Sequence, residues 1–425
     1  MYERDTLRIY GLSTDPIYIG TGGYTIGRVD NTIVRDSITK IPKIPGSSIA
    51  GTWRYYMALE IQNWFRKNFE TIKNILDGNG NTTTDDDIRE LINRLADREL
   101  NDKESISFSE RVEVFKKYSD MLNKTMNSNN QSQNKSDQGE QYWQLYWGNL
   151  ISSIKCAGQD DKPNEDRKHG LELHEISDTG HCGHCMVCKT FGFSKKDKSH
   201  QGIAFFSDFN ILFFPVYTRL GVKWVTSPFV LESAAIKISF RDNNLNVDGS
   251  DEKHENTEVV SSFTRLRDQL GENSVIMVLD SDMEEKQEYI NLGWLNLKVK
   301  HIGVTLDLAD FPKREYLMHH ILRNIIVAPD SLISHIINSN LEVRTSVSID
   351  PLTGAAKERA LFTSEAIPRG TVFYGDLRLF EGLREDIPSI GDINRAFKDS
   401  KKYYETLGVG GMVTRGFGRL KVYFP

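Results

Sequence analysis

The sequence predicts an α+β protein built around an antiparallel sheet. Strand-like and helix-like segments alternate along the chain, but they do not follow the regular period of a βαβ protein. Strand-like runs include "GIAFFSDFNILFFPVY", "TVFYGDLRLF" and "GRLKVYF", and helical patterns include "REYLMHHILRNIIVA" and "IGDINRAFKDSKKYYETLG". No segment recurs at a fixed period, so the sequence does not indicate a solenoid.

The first elements are a strand and a helix joined by a glycine-rich loop. The alternating stretch "LRIYGLSTDPIYIG" predicts a strand over residues 6–19, and "GTGGYTIG" follows it. Apolar residues then recur at helical spacing from Ile49 to Phe65. They predict a helix of about five turns, with Ser47 or Ser48 as its N-cap.

A long polar segment separates this helix from the rest of the chain. Residues 66–168 contain low-complexity breaks such as "NSNNQSQNKSDQGEQ" around short helical patterns. Residues 61–180 hold 16 Lys and Arg against 22 Asp and Glu, which accounts for the whole net charge of −6. We therefore expect an acidic, mainly helical insertion over 66–168 within a core formed by residues 1–65 and 169–425.

The composition, with 39% hydrophobic and 26% charged residues, is typical of a globular protein. No apolar run approaches the roughly 18 residues of a membrane span. The start, "MYERDTLRIYGL", lacks the pattern of a secretory signal. These features predict a cytoplasmic protein.

The strongest local motif is the cysteine cluster in "HCGHCMVCKTFGF". Its Cys182, Cys185 and Cys188 have the C-x2-C-x2-C spacing of thiolate ligands, which predicts a structural Zn2+ site. His174 is the preferred fourth ligand because its position in the sequence is the least constrained. The alternatives are His169, His181 and His184. An iron–sulfur cluster is disfavoured, because the fourth cysteine, Cys156, lies 26 residues upstream of the motif.

The glycine-rich loops do not match nucleotide-binding fingerprints. Both "GTGGYT" and "GVGGMV" lack the third glycine of a dinucleotide site, and neither leads into Gly-Lys-Ser/Thr. The stretch "GVGGMVTRGFGRL" instead combines glycines with arginines, and backbone N–H groups together with arginine suit a phosphate chain. Its candidate residues are Gly410, Gly411, Thr414 and Arg415.

The start of the predicted helix is a second candidate anion site. The N–H groups of a first helical turn and the positive end of the helix dipole attract an anion. The candidate residues there are Gly46, Ser47, Ser48 and Arg54. Two such sites in one chain indicate a polyanionic ligand.

Four stretches together resemble a known family. They are "IGRVDNTIVRDSITKIPKIPGSSIAGTWR", "CMVCKTFG" followed by "IAFFSDF", "SIDPLTGAAKERALFTSEAIPRGTVF" and "GVGGMVTRGFGRL". In this order they resemble the repeat-associated mysterious protein (RAMP) superfamily, and specifically the backbone subunits of type III CRISPR effector complexes of the Csm and Cmr kind. The stretch "LFFPVYTRLGVKWVTSPFVLE" is more similar to the Cmr type.

The resemblance implies a ferredoxin-like, RNA-recognition-motif-like core with a zinc motif at 169–193, a β-hairpin thumb near 341–375 and a glycine-rich loop at 408–418. In such complexes base pairing reads the sequence, and the protein reads the shape of the RNA backbone. The helix start and the glycine-rich loop would form a palm that holds the phosphates of CRISPR RNA. In the thumb, Thr353, Lys357 and Arg359 would reach the duplex of guide and target.

The resemblance further implies that Asp30 cleaves complementary target RNA with Mg2+ or another divalent cation. A carboxylate there can hold the cation near the scissile phosphate or help to deprotonate the neighbouring 2′-hydroxyl. Asp36 is the rival carboxylate, and its place in "VRDSITK" predicts a structural role in a turn. The alternative is a catalytically inactive subunit that only binds CRISPR RNA. The implied partners are CRISPR RNA, target RNA, related backbone subunits, a large signalling subunit and a small subunit.

Two features depart from the family pattern. The long insertion indicates a variant with a specialised position in its complex, where it would contact neighbouring subunits. Pro351 stands where the family commonly has arginine, which weakens the case for one thumb contact.

Guide processing is disfavoured because it usually employs a histidine, and none precedes His169. A free-standing zinc enzyme is also disfavoured, because it would need an open coordination position at the metal and four protein ligands leave none.

Overall fold

The structure is a computed structural model that describes residues 4–22, 29–77, 154–158, 181, 185–194, 199–240, 255–278, 288–308, 311–312, 315–380, 388 and 390–425. Most of the predicted insertion lies outside the described residues. The same holds for the predicted zinc motif before residue 185, apart from His181.

The chain divides into two compact units. The first comprises Met1–Thr6, Ala50–Phe205 and Leu377–Lys401. The second comprises Leu7–Ile49, Phe206–Asp376 and Lys402–Pro425.

Sixteen strands occur among the described residues, and most belong to one large sheet. They are β1 Arg4–Ser13, β2 Lys43–Ile44, β3 Gly192–Ser194, β4 Ser199–Gln201, β5 Ala204–Phe206, β6 Phe209–Thr218, β7 Gly221–Thr226, β8 Lys237–Phe240, β9 Ser274–Val278, β10 Tyr289–Leu292, β11 Leu295–Asp307, β12 Ile325–Val327, β13 Glu342–Ile349, β14 Ala356–Ala366, β15 Val372–Phe380 and β16 Leu420–Tyr423. Twelve of them form a sheet with the main order β10-β11-β9-β12-β7-β6-β15-β1-β16. Strands β13 and β14 form a separate antiparallel hairpin, as do β3 and β4.

Eight α-helices lie in the described part of the chain. They are α1 Gly46–Asp77, α2 Met186–Phe191, α3 Pro228–Ser233, α4 Glu255–Leu270, α5 Tyr316–Leu322, α6 Asp330–Ser339, α7 Ile390–Ser400 and α8 Tyr403–Thr406. None of the described helices has the length and apolar character needed to cross a membrane.

The α+β class and the large sheet are confirmed, but the expectation of a purely antiparallel sheet is wrong for two pairs. Strand β7 pairs parallel with β12, and β9 pairs parallel with β11. Parallel partners require a long crossover connection, and the intervening chain provides one in each case. The segment "REYLMHHILRNIIVA" is accordingly divided between α5 and β12 instead of forming one helix.

The first elements also differ in extent from the predictions. Strand β1 ends at Ser13, because the next two N–H groups, those of Thr14 and Asp15, both donate to the Arg419 carbonyl and do not continue the ladder. Helix α1 has 32 residues, so it is nearly twice as long as predicted. Its first N–H group, that of Gly46, donates to the side chain of Asp208, so the predicted cap by Ser47 or Ser48 is replaced by a residue from a distant segment.

In the second unit, one hydrophobic cluster joins the sheet to its helices. Leu231 of α3, Leu266 of α4 and Met318 of α5 are fully buried with Leu212 and Ile276 of the sheet. Burying side chains of this size contributes about 2 kcal/mol each. Hairpin β13–β14 follows α6 in the chain and leads into β15, so rigid elements precede and follow it.

In the first unit, aromatic residues pack around α7. Trp53 of α1 meets Phe397 edge to face, with ring centroids 4.9 Å apart, and Phe191 meets the same ring at 5.8 Å. The Trp53 indole N–H donates to the hydroxyl of Ser400 at 3.1 Å, which satisfies the buried donor. These contacts fix one face of α1.

Candidate functional site

The hairpin β13–β14 occupies the range predicted for the thumb. Its turn is held by Asp350, whose Oδ1 accepts the backbone N–H of Leu352 at 2.8 Å. Gly354 adopts φ +67°, a conformation that suits glycine. Thr353 lies exposed in this turn, and Leu352 beside it is 93% exposed. The hairpin therefore presents an apolar tip to solvent.

Asp30 lies along the free edge of β14. Its Oδ2 accepts the backbone N–H of Thr363 at 2.7 Å and the Thr363 hydroxyl at 2.9 Å. The Asp30 N–H donates in return to Thr363 Oγ1 at 3.1 Å. Asn31 continues the pairing, since its N–H donates to the Thr363 carbonyl and its own carbonyl accepts the N–H of Glu365, both at 3.0 Å. The loop that carries Asp30 is thus bonded to the hairpin.

The Asp30 carboxylate is exposed and ionised. The Thr363 backbone N–H, followed by the Thr363 hydroxyl, holds the pKa of Asp30 below its ordinary value. Within the described part of the chain, no donor contacts the second carboxylate oxygen, Oδ1. Asp30 therefore offers a charged oxygen to solvent at neutral pH.

Asp36 has a different environment. Its Oδ1 accepts the N–H groups of Ile38 at 3.0 Å and Thr39 at 2.9 Å, and its Oδ2 accepts from Lys43 Nζ at 3.3 Å. The Thr39 N–H is the main cause that lowers the pKa of Asp36 to about 2, despite partial desolvation. Its oxygens are committed to a turn, the role that its sequence context predicts.

We expect Asp36→Asn to destabilise the chain by about 1–2 kcal/mol at pH 7, after allowance for partial solvent exposure. Because the folded pKa lies below the unfolded value, this contribution is complete above about pH 4 and is lost as the pH falls towards 2. Urea unfolding at pH 7 and pH 3 measures the difference. Asp307→Asn, at an exposed position at the end of β11, is the control. If both substitutions changed the free energy of unfolding equally, the structural role of Asp36 in the turn would be contradicted.

The glycine-rich loop at 408–418 packs closely against the segment that follows β1. Gly411 N–H donates to the carbonyl of Tyr18 at 3.0 Å, and Gly418 N–H donates to that of Pro16 at 2.8 Å. Gly410 has φ +83°, and a Cβ at this position would overlap the Tyr18 carbonyl. Both features require glycine at residue 410.

Gly410→Ala is expected to destabilise the second unit by about 2–4 kcal/mol, because backbone strain adds to the overlap. Gly221 has a similar φ of +88° but open space around it. Gly221→Ala should therefore lower the free energy of unfolding by only about 1 kcal/mol. Thermal unfolding of the two variants measures the difference. Equal melting temperatures would show that the close approach of Gly410 to the Tyr18 carbonyl does not contribute to the loss of stability.

The glycine-rich loop also contacts the hairpin. The Arg415 guanidinium lies 5.9 Å from the Phe362 ring centroid, and Arg344 Nη1 donates to the Gly416 carbonyl at 3.1 Å. Thr414 and Arg415 are exposed. We call residues 29–31, 362–364 and 412–416 the Asp30 surface. It brings together three of the four motifs that the sequence predicts to be functional in this unit; the helix start at residues 46–48 is not among them.

The start of α1 is already occupied by a carboxylate. Besides accepting the Gly46 N–H at 2.8 Å, Asp208 accepts from Lys43 Nζ at 2.6 Å. Burial raises the pKa of Asp208, but the hydrogen bonds from Lys43 and Gly46 outweigh it and lower the pKa below its ordinary value. Gly46 is buried, whereas Ser47 is exposed and Ser48 half-buried.

The first unit contains a cluster of three buried cysteines, Cys156, Cys185 and Cys188. Their sulfur atoms lie within 4.8 Å of one another. Three sulfurs bound to one zinc ion at about 2.3 Å would lie about 3.8 Å apart, so the cluster fits such an ion. The Cys188 N–H donates to Cys185 Sγ at 3.4 Å. Cys156 comes from the 3-10 helix Ile154–Ala157 and not from the C-x2-C-x2-C motif.

Arg54 belongs to the surroundings of this cluster. Its Nε donates to the Cys156 carbonyl at 2.7 Å, and its Nη2 contacts His181 Nδ1 at 2.9 Å. Because arginine can only donate, His181 Nδ1 is the acceptor and the neutral ring carries its proton on Nε2. Nδ1 of His181 is thus engaged by Arg54, and the role of His181 as an alternative fourth ligand stays a prediction.

Some predicted site residues lie outside the described part of the chain, and for others only the backbone is described. His174 and Cys182 lie outside the described residues, as do the alternative ligands His169 and His184. Lys357 and Arg359 belong to β14, but only their backbone is described. Their assignments stay predictions.

Three residues of these sites were not predicted from the sequence. Cys156 is the one cysteine outside the motif, and that isolation is a signal for a fourth thiolate once a metal is expected. Thr363 and Asp208 carry no comparable signal, because their partners are 333 and 162 residues away in the chain.

Comparisons with known proteins give one match at the level of sequence families. The sequence model of the RAMP superfamily matches residues 13–421 of this chain. A comparison with curated proteins gives no match. Among solved structures, a chain of the type III-B Cmr-beta complex bound to cognate target RNA is similar, with 11% identity, a TM-score of 0.46, and coverage of 100% of this chain and 98% of that chain. Oligomeric Cmr4 from Pyrococcus furiosus has 14% identity, a TM-score of 0.40, and coverage of 99% and 98%.

Proposed function

Because the chain belongs to the RAMP superfamily, we propose that it is a backbone subunit of a type III CRISPR effector complex. In this proposal it binds CRISPR RNA and cleaves complementary target RNA, with Asp30 as the catalytic residue. Its partners in this proposal are CRISPR RNA, target RNA and the other subunits of the complex. The family membership supports the RNA-binding part, and the Asp30 surface supports the assignment of the residues.

The observation that carries the proposal is the composition of the Asp30 surface. An ionised carboxylate, that of Asp30, and an exposed arginine, Arg415, both lie against residues 362–363 of the hairpin, although the three segments are distant in the chain. The exposed Leu352 stands at the turn of the same hairpin. Arginine attracts RNA phosphates, and apolar side chains can insert between bases. One surface therefore combines groups that bind RNA with a group that can act on it.

Asp30 suits the role of a cation ligand better than that of a base. Its lowered pKa makes it a weak proton acceptor at neutral pH, whereas its exposed Oδ1 remains charged. Mg2+ is commonly bound through one or two carboxylates together with substrate phosphates, so a single carboxylate fits. A bound divalent cation would neutralise the charge that develops at the scissile phosphate.

The cysteine cluster is proposed as a structural Zn2+ site with Cys156, Cys185 and Cys188 as ligands. The burial of three thiols in one place supports this, because zinc compensates the charge of buried thiolates. Cys182 or His174 would supply the fourth ligand and close the site. The ion would then stabilise the first unit without taking part in cleavage.

Cleavage of a complementary RNA by the purified native assembly tests the proposed function. The expected result is a defined set of cuts that disappears with EDTA and returns with Mg2+. Sequencing of the RNA that copurifies identifies the guide. An assembly that binds guide and target but never cuts would support the alternative of an inactive, purely structural subunit.

A further inference from the structure

The hydrogen bonds between Asp30 and Thr363 have a consequence for where cleavage occurs. Thr363 makes three of them, two to the carboxylate and one to the backbone N–H of Asp30, at 2.7 to 3.1 Å. We propose that Thr363 is a positioning residue for Asp30, so that hairpin β13–β14 sets the place of the carboxylate on the target strand. This inference rests on the proposed function.

Hydrogen bonds from Thr363 fix the orientation of the Asp30 carboxylate. Both Thr363 donors bind the same oxygen, Oδ2, which fixes the rotation of the group and directs Oδ1 away from β14. An exposed aspartate on a loop would otherwise sample several rotamers. A catalytic group that is misplaced by about 1 Å loses roughly 100-fold in rate, so such fixation matters for chemistry.

Backbone hydrogen bonds connect the loop of Asp30 to the hairpin. Asn31 pairs with the backbone of Thr363 and Glu365, and Glu365 also accepts from Arg35 at 2.7 Å. The loop is therefore joined to β14 by an isolated parallel bridge between Asn31 and Ser364. A displacement of the hairpin by bound RNA would carry Asp30 with it.

Substitution can separate the contribution of the Thr363 hydroxyl from that of its backbone N–H. The Thr363 N–H is retained in any substitution except proline, but the hydroxyl is needed both to donate to Asp30 Oδ2 and to accept from Asp30 N–H. Thr363→Val removes only this hydroxyl at constant shape, and Thr363→Ser restores it. Thr345, the cross-strand partner of Thr363 on β13, provides a matched control in Thr345→Val.

Hydrogen exchange of the full chain in metal-free buffer tests the fixation independently of cleavage. In Thr363→Val, the amide of Asp30 loses its acceptor and should exchange about fivefold faster or more, as read from peptides covering residues 29–34. Thr363→Ser and Thr345→Val should exchange like the wild type there. Unchanged exchange in Thr363→Val, or equal acceleration in Thr363→Ser, would overturn the inference.

Cleavage by the assembled complex tests the functional part. Thr363→Val should cut target RNA about 10- to 100-fold more slowly with unchanged target binding, and Thr363→Ser should recover most of the rate. If Asp30→Asn abolishes cleavage while Thr363→Val cuts at the wild-type rate, the positioning role fails and the proposed function stands. If Asp30→Asn cuts normally, the proposed function fails and the positioning role fails with it.

Discussion

Target RNA cleavage by the assembled complex is expected to fall by roughly 10³-fold when the complex carries Asp30→Asn. The substitution removes the negative charge but keeps an oxygen that can accept from Thr363, so the loop should retain its place on β14. The loss would then report the charge and not a change of structure. Cleavage rates at saturating target and Mg2+ measure the effect.

Two comparisons make this experiment specific. Asp36→Asn removes a nearby carboxylate whose oxygens are bound within a turn, and it should leave cleavage within about twofold of wild type. Arg415→Ala should weaken RNA binding, because it removes an exposed cation beside Phe362. An unchanged set of cuts in Asp30→Asn would instead identify a purely structural RNA-binding subunit.

Cys156→Ser is expected to release the metal ion from the first unit and to destabilise it by roughly 2–4 kcal/mol. A serine hydroxyl is a poor replacement for a thiolate ligand of zinc, and the site is fully buried. Zinc analysis of the purified chain should fall from about one ion to a small fraction of that. The melting temperature should fall by at least about 5 °C.

The control for this substitution introduces serine at the next residue. Ala157→Ser lies in the same 3-10 helix but contributes no sulfur, so it should keep the metal and the melting temperature. A Cys156→Ser chain with full zinc content would show that the four ligands come from the motif around Cys182 and from histidine. Removal of the metal with a chelator should destabilise the wild type and Ala157→Ser, but not Cys156→Ser.

The parts of the site that carry local signals were predicted from the sequence. The glycines at 410 and 411 and the cysteine spacing each depend on neighbouring residues. Backbone conformation and alternation act over a few residues, so they can be read directly from the chain. The glycine-rich loop could therefore be identified from its own residues, whereas the hairpin was implied only by the family resemblance. Strands β13 and β14 do pair as a hairpin in that range, and its role as a thumb stays a prediction.

The pairings between distant segments could not be predicted in this way. Arg54 was expected to bind phosphate, yet it contacts Cys156 and His181, the latter 127 residues away. A guanidinium can donate to a phosphate or to a buried carbonyl, and only the fold decides which of them it meets. The same applies to Asp208, which caps a helix from a segment far along the chain.

The carboxylate of Asp208 at the start of α1 acts as a built-in competitor for any external anion. Because it is tethered to the same unit, its effective concentration at the Gly46 N–H far exceeds that of a free phosphate. A guide phosphate would have to displace it together with its contact to Lys43. In the proposed function, RNA would therefore be attracted to this unit by the cations of the glycine-rich loop and the hairpin, and the salt dependence of guide binding is expected to count those charges.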